Sequence, residues 1–304
     1  MSDRQIPQLD ISEFETDRIE FVERFGEAYT QWGFAGITGH GIAPDTIHNA
    51  LSAVEQFFSL PTEIKQKYLG SSDGFNRGYV PFGTEKAKDS QFVDLKEFFH
   101  IGREHLQQNV WPTELAEFQS SVQVLYSELD TLARKVLQVA ALYLQLNRDY
   151  FEAYLPDGET LLRAIHYPPI SDPNMPNVRA AAHEDINLIT LLVGSEQDGL
   201  EVLSRQNEWV PISLIQGTII CNVGDMLQRL SNARLPSTTH RVVNPAGEAA
   251  KASRYSIPFF VHPDSSMSLS CLPQCVDDKH PLQFSPMTAG EFLEQRLLEI
   301  GLKK

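Results

Sequence analysis

The spacing of apolar residues changes near residue 160, and this change constrains the fold more than any other feature of the sequence. Before that point, apolar side chains recur every three or four residues, as they do in amphipathic helices. After it, they form short runs separated by Gly, Pro, Asn or Asp, as in a domain built of short strands. We predict strands at residues 161–167, 188–193, 200–203, 218–223, 240–243 and 255–261.

Four segments have the periodicity of helices. The first, residues 13–32, ends at Gly33, and the second begins at Pro44 and is ended by Pro61. The strongest helical pattern covers residues 113–146, with a start signal at residues 111–114, and a last helix is predicted at residues 288–302. Residues 6–10 are predicted to form a short edge strand before the first helix.

The order of these elements predicts the fold class. Short strands without intervening helices favour an antiparallel double-sheet or jelly-roll core. Because the helices come first, they are expected to buttress one barrel, which gives an α+β fold with a long helix before the core. We therefore predict a single domain, residues 1–304. It begins with an N-terminal region of helices and strands (1–110) and a long supporting helix (111–150). A jelly-roll core (160–265) and a C-terminal helix (288–302) follow.

Charge and composition exclude several classes of partner. The formal charge of −15 repels phosphate backbones and anionic lipids, so neither nucleic acid nor membrane is expected as a partner. No segment approaches the ~20 apolar residues of a membrane span, and the first residues lack the pattern of a secretion signal. The three cysteines have no paired CxxC pattern, so we expect no disulfide framework and a reducing, cytoplasmic location. The sequence does not indicate an oligomeric state.

His183-Glu184-Asp185 places two metal-binding side chains two residues apart, on the same side of an extended segment. The pattern alone is weakly specific, since it recurs at His262-Pro263-Asp264. Context favours the first copy, because His183 opens the predicted strand run that follows it and His240 starts another strand. Two histidines and one carboxylate are the facial-triad set, which leaves adjacent positions on iron(II) open to a co-substrate and dioxygen. We predict His183, Asp185 and His240 as the metal ligands and the catalytic centre.

Arg254-Tyr255-Ser256 follows the last of these ligands on another predicted strand. Arg254 and Ser256 share one face of that strand, because side chains alternate between its two faces. A planar guanidinium and a hydroxyl together bind a carboxylate well. The pair is therefore predicted to anchor the far carboxylate of a dicarboxylate that is chelated to the metal at its other end.

Taken together, these motifs resemble the isopenicillin N synthase-like family of iron(II)- and 2-oxoglutarate-dependent dioxygenases. The motifs that carry the resemblance are spread over most of the chain. They are Trp32-Gly33-Phe34, Gly39-His40-Gly41, Arg77-Gly78-Tyr79, Asp94-Leu95-Lys96-Glu97-Phe98-Phe99, Tyr167-Pro168-Pro169, His183-Glu184-Asp185, Gly199-Leu200-Glu201-Val202, Asn222-Val223-Gly224-Asp225, His240-Arg241-Val242 and Arg254-Tyr255-Ser256-Ile257-Pro258-Phe259-Phe260.

The resemblance implies a double-stranded β-helix and a reaction that uses Fe(II), 2-oxoglutarate and dioxygen. It also implies that Arg254 and Ser256 bind the 5-carboxylate of 2-oxoglutarate, assisted by the Tyr167 hydroxyl. Two positions depart from the family pattern. Ile165 replaces an Asn common two residues before that tyrosine, and Ser231-Asn232-Ala233 replaces Ser-Asn-Gly, so the left-handed position is expected to shift to Asn232.

The function expected from this resemblance is oxidation of a small molecule, by hydroxylation, desaturation or cyclisation, with release of succinate and carbon dioxide. One alternative is an iron(II) oxidase of the same fold that does not use 2-oxoglutarate, since such enzymes keep an Arg-x-Ser pair for other carboxylates. A second alternative is a non-catalytic metal- or ligand-binding barrel. The candidate substrate residues, at the mouth of the expected barrel, are Arg77, Tyr79, Phe82, Phe98 and Arg229.

Overall fold

The strands of the protein form two mostly antiparallel sheets, and the larger sheet is covered by helices. The computed structural model describes residues 5–70, 77–85, 92–170, 175–194, 199–212, 215 and 217–299. The helices are α1 (Arg18–Trp32), α2 (Pro44–Phe58), α3 (Thr62–Lys65), α4 (Phe118–Tyr143), α5 (Asp225–Leu230) and α6 (Ala289–Glu299). The strands are β1 (Gln8–Asp10), β2 (Phe34–Thr38), β3 (Gly78–Val80), β4 (Glu97–Gly102), β5 (Leu161–Tyr167), β6 (Ala180–His183), β7 (Ile189–Gly194), β8 (Leu200–Leu203), β9 (Trp209–Pro211), β10 (Ile219–Val223), β11 (His240–Val242) and β12 (Arg254–Val261).

The two sheets face each other as the two walls of a jelly roll. The larger has the order β1-β2-β10-β7-β12-β5-β4-β3 and the smaller the order β6-β11-β8-β9. Every pair of these strands is antiparallel except β1 with β2. The predicted α+β jelly-roll fold is confirmed, and β1 to β4 extend the same large sheet to which the later strands belong.

Helix α4 supports the outer face of the large sheet and packs against α1 and α2. Its buried face repeats Val122, Leu125, Leu129, Leu132 and Val136 at helical spacing, so one apolar stripe covers the sheet. The contact with α1 is close at Gly26, where a β-carbon would clash with the ring of Tyr143 at the end of α4. Among the described residues, no helix is both long and apolar enough to cross a membrane.

The helix boundaries differ from the prediction at three places. Residues Ile11–Glu15 form a separate 3₁₀ turn before α1, whereas α1 ends at Gly33 as predicted, with a positive φ of 65°. Helix α4 begins at Phe118, later than predicted, and the backbone N–H of Thr113, before it, donates to the hydroxyl of Tyr68. Helix α6 ends at Glu299 in the described chain, and the last predicted residues, 300–302, lie outside it.

Two strands of the small sheet were missing from the prediction. Strand β6 ends at His183, so this histidine closes a strand and does not open one. Strand β9 is three residues long and contains Pro211. The predicted left-handed residue Asn232 has a φ of 50°, and Ala233 also takes a positive φ, of 62°. The turn therefore keeps its left-handed conformation at the position where the family has glycine.

Candidate active site

The strand pairing of the small sheet brings two distant histidines together. His183 is the last residue of β6, and His240, the first residue of β11, is its direct partner in the antiparallel register. Side chains at paired positions project from the same face of a sheet. The two imidazole rings therefore lie side by side, with their centroids 4.4 Å apart.

Each imidazole is oriented by a backbone carbonyl. The Nδ1 of His183 lies 2.7 Å from the carbonyl oxygen of Ala181, and the Nδ1 of His240 lies 3.1 Å from that of Thr238. A carbonyl oxygen only accepts, so each Nδ1 carries the proton and donates it. The lone pair of each neutral ring is then on Nε2, which is the atom presented to a metal.

Asp185 completes the cluster from the loop between β6 and β7. Its Oδ2 accepts hydrogen bonds from the hydroxyl of Thr190 at 2.6 Å and from the amide of Asn222 at 2.8 Å. Its Oδ1 lies 4.0 Å from the Nε2 of His183 and 3.9 Å from the Nε2 of His240. One carboxylate oxygen is thus held by the protein, and the other faces the two imidazoles.

The three donor atoms fit one metal ion. They all lie within 4.8 Å of one another, and the described part of the chain contains no second such cluster of His, Cys, Asp or Glu. Donor atoms bind a metal ion at ~2.0–2.2 Å, so two donors of the same ion are at most about 4.4 Å apart. A small inward movement of these side chains therefore brings all three donor atoms within bonding distance of one ion. Two imidazoles and one carboxylate are the ligands that non-haem iron(II) uses.

The electrostatics of the cluster keep His183 and Asp185 in the form that binds a metal. Burial, together with the neighbouring His240, lowers the pKa of His183 to about 4, so its ring is neutral near pH 7. Burial alone would raise the pKa of Asp185, but the two histidines and the bonds from Asn222 and Thr190 outweigh it, and the pKa of Asp185 is lowered. Asp185 is therefore a carboxylate. Metal ligands must be deprotonated, and His183 and Asp185 both are.

The second His-x-Asp pattern does not form a comparable cluster. Asp264 accepts hydrogen bonds from the backbone N–H and the hydroxyl of Ser266, which is a local turn contact. Burial lowers the pKa of His262 to about 4. Neither residue belongs to a group of metal-binding side chains among the described residues.

The predicted carboxylate anchor lies inside the barrel, where β12 begins. Arg254 and Ser256 are both buried, and the Nη1 of Arg254 donates to the hydroxyl of Ser256 at 3.3 Å. Tyr167, at the end of β5, is the register partner of Arg254, and its ring centroid is 5.1 Å from the guanidinium carbon. The Nε of Arg254 is buried without a hydrogen-bond partner. A buried cation with free N–H groups is suited to binding an anion.

A second buried arginine at this end of the barrel was not predicted. Arg179 immediately precedes β6, is 0% exposed, and its guanidinium carbon lies 5.9 Å from the ring centroid of Tyr167. Its Nη2 donates to the carbonyl of Ala252 at 3.1 Å, whereas its Nε and Nη1 have no hydrogen-bond partner. The only signal in the sequence was its position four residues before His183. A single arginine is more often solvated than buried, so that signal was weak.

The five candidate substrate residues do not lie on one surface. Phe98 faces the barrel interior, in a buried cluster with Val80, Ile165, Tyr167, Ala180 and Val242. Tyr79 lies opposite Phe99 in the register and belongs with it to the core beneath the helices, where its hydroxyl bonds Glu97. Arg77 is buried and donates to the carbonyl of Arg103.

The two remaining candidates lie outside the buried cluster of Phe98. Phe82 is half-exposed. Arg229 lies on α5, where its guanidinium contacts the rings of Phe284 and Phe292 and donates to the carbonyl of Ser285 at 2.8 Å. Of the five, Phe98 is therefore the one that the structure places in the barrel-facing cluster with Tyr167.

A network of charged side chains lies beside Phe98 and was also missed. The Nζ of Lys96 is 2.8 Å from Glu85 and 2.9 Å from Asp94, and the Nη1 of Arg163 is 3.0 Å from Glu85. The guanidinium of Arg163 stacks over the ring of Phe98 at 4.2 Å. These residues come from β4, β5 and the loop before β4, so only the folded sheet brings them together.

Comparison with known proteins identifies the family. Residues 6–114 match the model of the N-terminal region of the non-haem dioxygenases of morphine synthesis, and residues 158–263 match the model of the 2OG-Fe(II) oxygenase superfamily. The second match includes all three residues of the metal cluster.

Relatives match over nearly the whole chain. A 2-oxoglutarate-Fe(II) type oxidoreductase of Emericella nidulans is 31% identical, over 94% of this chain and 88% of that protein. A crystal structure of a 2OG-Fe(II) oxygenase family protein from Caulobacter crescentus is 42% identical with a TM-score of 0.88, covering 97% of this chain and 99% of that one. A crystal structure of a Neurospora crassa protein in complex with alpha-KG and thymine is 29% identical with a TM-score of 0.88, covering 98% of each chain.

The fold, the metal cluster and these relatives agree with the resemblance seen in the motifs. The isopenicillin N synthase-like assignment is consistent with the two family models. The cofactors of this enzyme are Fe(II), 2-oxoglutarate and dioxygen. The chain belongs to the 2OG-Fe(II) oxygenase superfamily and is a non-haem iron(II)- and 2-oxoglutarate-dependent dioxygenase.

Proposed function

We propose that His183, Asp185 and His240 bind the ferrous ion and that Arg254, Ser256 and Tyr167 bind the distal carboxylate of 2-oxoglutarate. The observation that carries the first assignment is the convergence of three donor atoms within 4.8 Å. Each of these ligands is also oriented by a hydrogen bond at its other polar atom, which is typical of a metal site.

The proposed roles follow from the positions of the side chains. When bound, the ferrous ion, 2-oxoglutarate and dioxygen together supply the oxidation that removes hydrogen from the substrate, with succinate and carbon dioxide as co-products. Arg254 and Ser256 fix the far end of the co-substrate, so that its chelating end is directed toward the metal ligands. The apolar cluster around Phe98 and Tyr167 excludes water from the space between the metal ligands and the two anchoring residues.

The proposed substrate is a small molecule free in solution. The net charge of −15 disfavours a polynucleotide or an anionic membrane surface. Relatives include a proline hydroxylase of Petromyces alliaceus and the Neurospora crassa protein bound to thymine, and both names refer to small molecules. Access is expected past His183, whose side chain is 35% exposed, whereas those of His240 and Asp185 are 11% and 7% exposed. Hydroxylation, desaturation and cyclisation all fit this site.

The two alternative functions are less well supported. An oxidase that does not use 2-oxoglutarate is disfavoured because solved relatives contain alpha-KG. A non-catalytic barrel would not need a complete ligand set with its orienting partners.

The test is release of carbon dioxide from 2-oxoglutarate labelled at its 1-carboxylate, measured with Fe(II) and oxygen. Wild-type protein should release it, and Asp185→Ala should lose the activity because one ligand is missing. Asp264→Ala is the matched control, since it removes the aspartate of the second His-x-Asp pattern and should leave the activity unchanged. Equal release by wild type and Asp185→Ala would rule out the proposed ligand set.

A further inference from the structure

Two buried arginines lie against the same tyrosine ring. The guanidinium carbons of Arg254 and Arg179 are 5.1 Å and 5.9 Å from the ring centroid of Tyr167. They reach this place from different sheets, since Arg254 begins β12 of the large sheet and Arg179 precedes β6 of the small sheet. The two walls of the barrel thus each contribute one cation to the same end of its interior.

Neither cation has an acidic partner among the described residues. Arg254 is 1% exposed and Arg179 is 0% exposed. The hydrogen bonds of the two guanidinium groups go to the hydroxyl of Ser256 and the carbonyl of Ala252, which are both uncharged. Three N–H groups, the Nε of each arginine and the Nη1 of Arg179, are buried without a partner. Buried charges are normally paired, so this arrangement lacks an anion.

The charge of Arg254 adds to the effect of burial on Arg179. Burial and the positive charge of Arg254 together lower the pKa of Arg179 to about 10. Arg179 is therefore still charged near pH 7, and two like charges lie against the same tyrosine ring. An anion bound between them relieves the repulsion and supplies acceptors for the free N–H groups.

A count of charges shows where that anion comes from. The other buried cations beside the site already have partners, since Lys96 and Arg163 are paired with Glu85 and Asp94. A ferrous ion with Asp185 is left with one positive charge, which the 1-carboxylate of 2-oxoglutarate balances. The distal carboxylate of 2-oxoglutarate would then be the anion left for the two arginines.

We propose that Arg179 is a second co-substrate arginine, which together with Arg254 forms a clamp for the distal carboxylate of 2-oxoglutarate. This inference rests on the proposed function of Arg254 and extends it. The carbonyl of Ala252, which accepts from Arg179, lies two residues before Arg254 in the chain, so the guanidinium is held at the β12 end of the site. The clamp selects a dicarboxylate over a 2-oxo acid that has only one carboxylate.

The test compares binding of two 2-oxo acids that differ only at the distal carbon. 2-Oxoglutarate and 2-oxopentanoate share the chelating end and the five-carbon chain, but the second carries a methyl group instead of the distal carboxylate. Binding is measured by calorimetry without oxygen on the full chain loaded with Mn(II), which accepts the same ligands. The readout is a dissociation constant, so it does not depend on turnover.

Arg179→Met should weaken the binding of 2-oxoglutarate about 10- to 100-fold, which is the effect of losing one charged hydrogen-bonding partner. The same substitution should weaken the binding of 2-oxopentanoate by less than about twofold, because that ligand lacks the carboxylate that the clamp binds. Arg179→Lys should fall between wild type and Arg179→Met for 2-oxoglutarate, since lysine keeps the charge and loses the planar fork.

The matched control is Arg103→Met. Arg103 is another largely buried arginine, but it is paired with Asp130 near α4, so its loss should change neither dissociation constant. Equal weakening of both ligands by Arg179→Met, or no weakening of 2-oxoglutarate, would overturn the clamp. If Arg179→Met does not fold, the same comparison of the two ligands is made with Arg179→Lys, and the same outcomes support or overturn the clamp. Failure of wild-type protein to bind 2-oxoglutarate would instead refute the proposed function itself.

Discussion

Asp185 depends on two residues that the sequence pattern did not reveal. Thr190 on β7 and Asn222 on β10 both donate to its Oδ2, and they are direct partners in the register of these two strands. The three ligands could be predicted because a His-x-Asp pair and a later strand histidine form a recognisable set. Their supporting residues could not, because Thr and Asn are common in strands and turns and meet Asp185 only after β7 and β10 have paired.

At the residue scale, we predict that Thr190→Val weakens iron binding. Valine has the shape of threonine but lacks the hydroxyl that holds Asp185, so the carboxylate should lose its fixed orientation. The expected loss of Fe(II) affinity is about 10- to 100-fold, typical of a partner that supports a metal ligand. The measurement is an anaerobic titration with Fe(II).

Thr218→Val is the matched control for this change. The Thr218 hydroxyl is buried without a hydrogen-bond partner, so its removal should leave Fe(II) affinity unchanged. A Thr190→Val protein with wild-type affinity would show that Asp185 is oriented by other contacts.

At the scale of secondary-structure elements, Glu97 joins α3, β3, β4 and β5 in one buried network. The Nζ of Lys65 lies 2.8 Å from its carboxylate, the Nδ1 of His166 lies 2.8 Å away, and the Tyr79 hydroxyl also bonds it. His166 and Tyr79 therefore face the helices, on the opposite side of the sheet from Phe98. This network helps to hold the N-terminal helices and strands against the barrel sheet.

We predict that Glu97→Gln destabilises the fold by about 3–5 kcal/mol, because Lys65 would remain buried without a counter-charge. Burial alone would raise the pKa of Glu97, but the bonds from His166, Lys65 and Tyr79 outweigh it and lower that pKa. A lowered folded pKa gives stability that is present above the unfolded value of 4.5 and lost as the pH falls below it. The difference between wild type and Glu97→Gln should therefore shrink in acid.

Urea unfolding of the two proteins at several pH values measures this difference. Glu201→Gln is the control, since the Glu201–Arg241 pair is partly exposed and its loss should cost less than about 1 kcal/mol. A pH-independent difference for Glu97→Gln would contradict the assigned network.

The strands that escaped prediction show where local sequence stops being informative. Strand β6 reads Ala-Ala-Ala-His, and alanine has little preference for strands, so its extended form comes from pairing with β11. Strand β9 contains a proline and, among the described strands, is paired with β8 alone. By contrast, β5 was predicted at its observed bounds, because seven consecutive residues rich in apolar side chains lie between turn residues.

At the scale of the whole molecule, the barrel brings together groups from four separate parts of the chain. The metal cluster uses the end of β6, the following loop and the start of β11, whereas the proposed carboxylate site uses β5 and β12. The metal cluster therefore belongs to the small sheet and the proposed carboxylate site to the large sheet. The order of helices and strands was enough to predict the fold class. That Arg179 and Arg254 lie beside the same tyrosine ring could not be predicted, because it depends on how the two sheets close on each other.

Anaerobic Fe(II) binding to wild type and to His240→Ala tests whether these distant residues form one ferrous site. The wild-type protein should bind one Fe(II) per chain. His240→Ala should bind at least about 100-fold more weakly, because an ion held by only two protein ligands loses one strong bond. His240→Ala protein that still binds one Fe(II) with wild-type affinity would contradict the account.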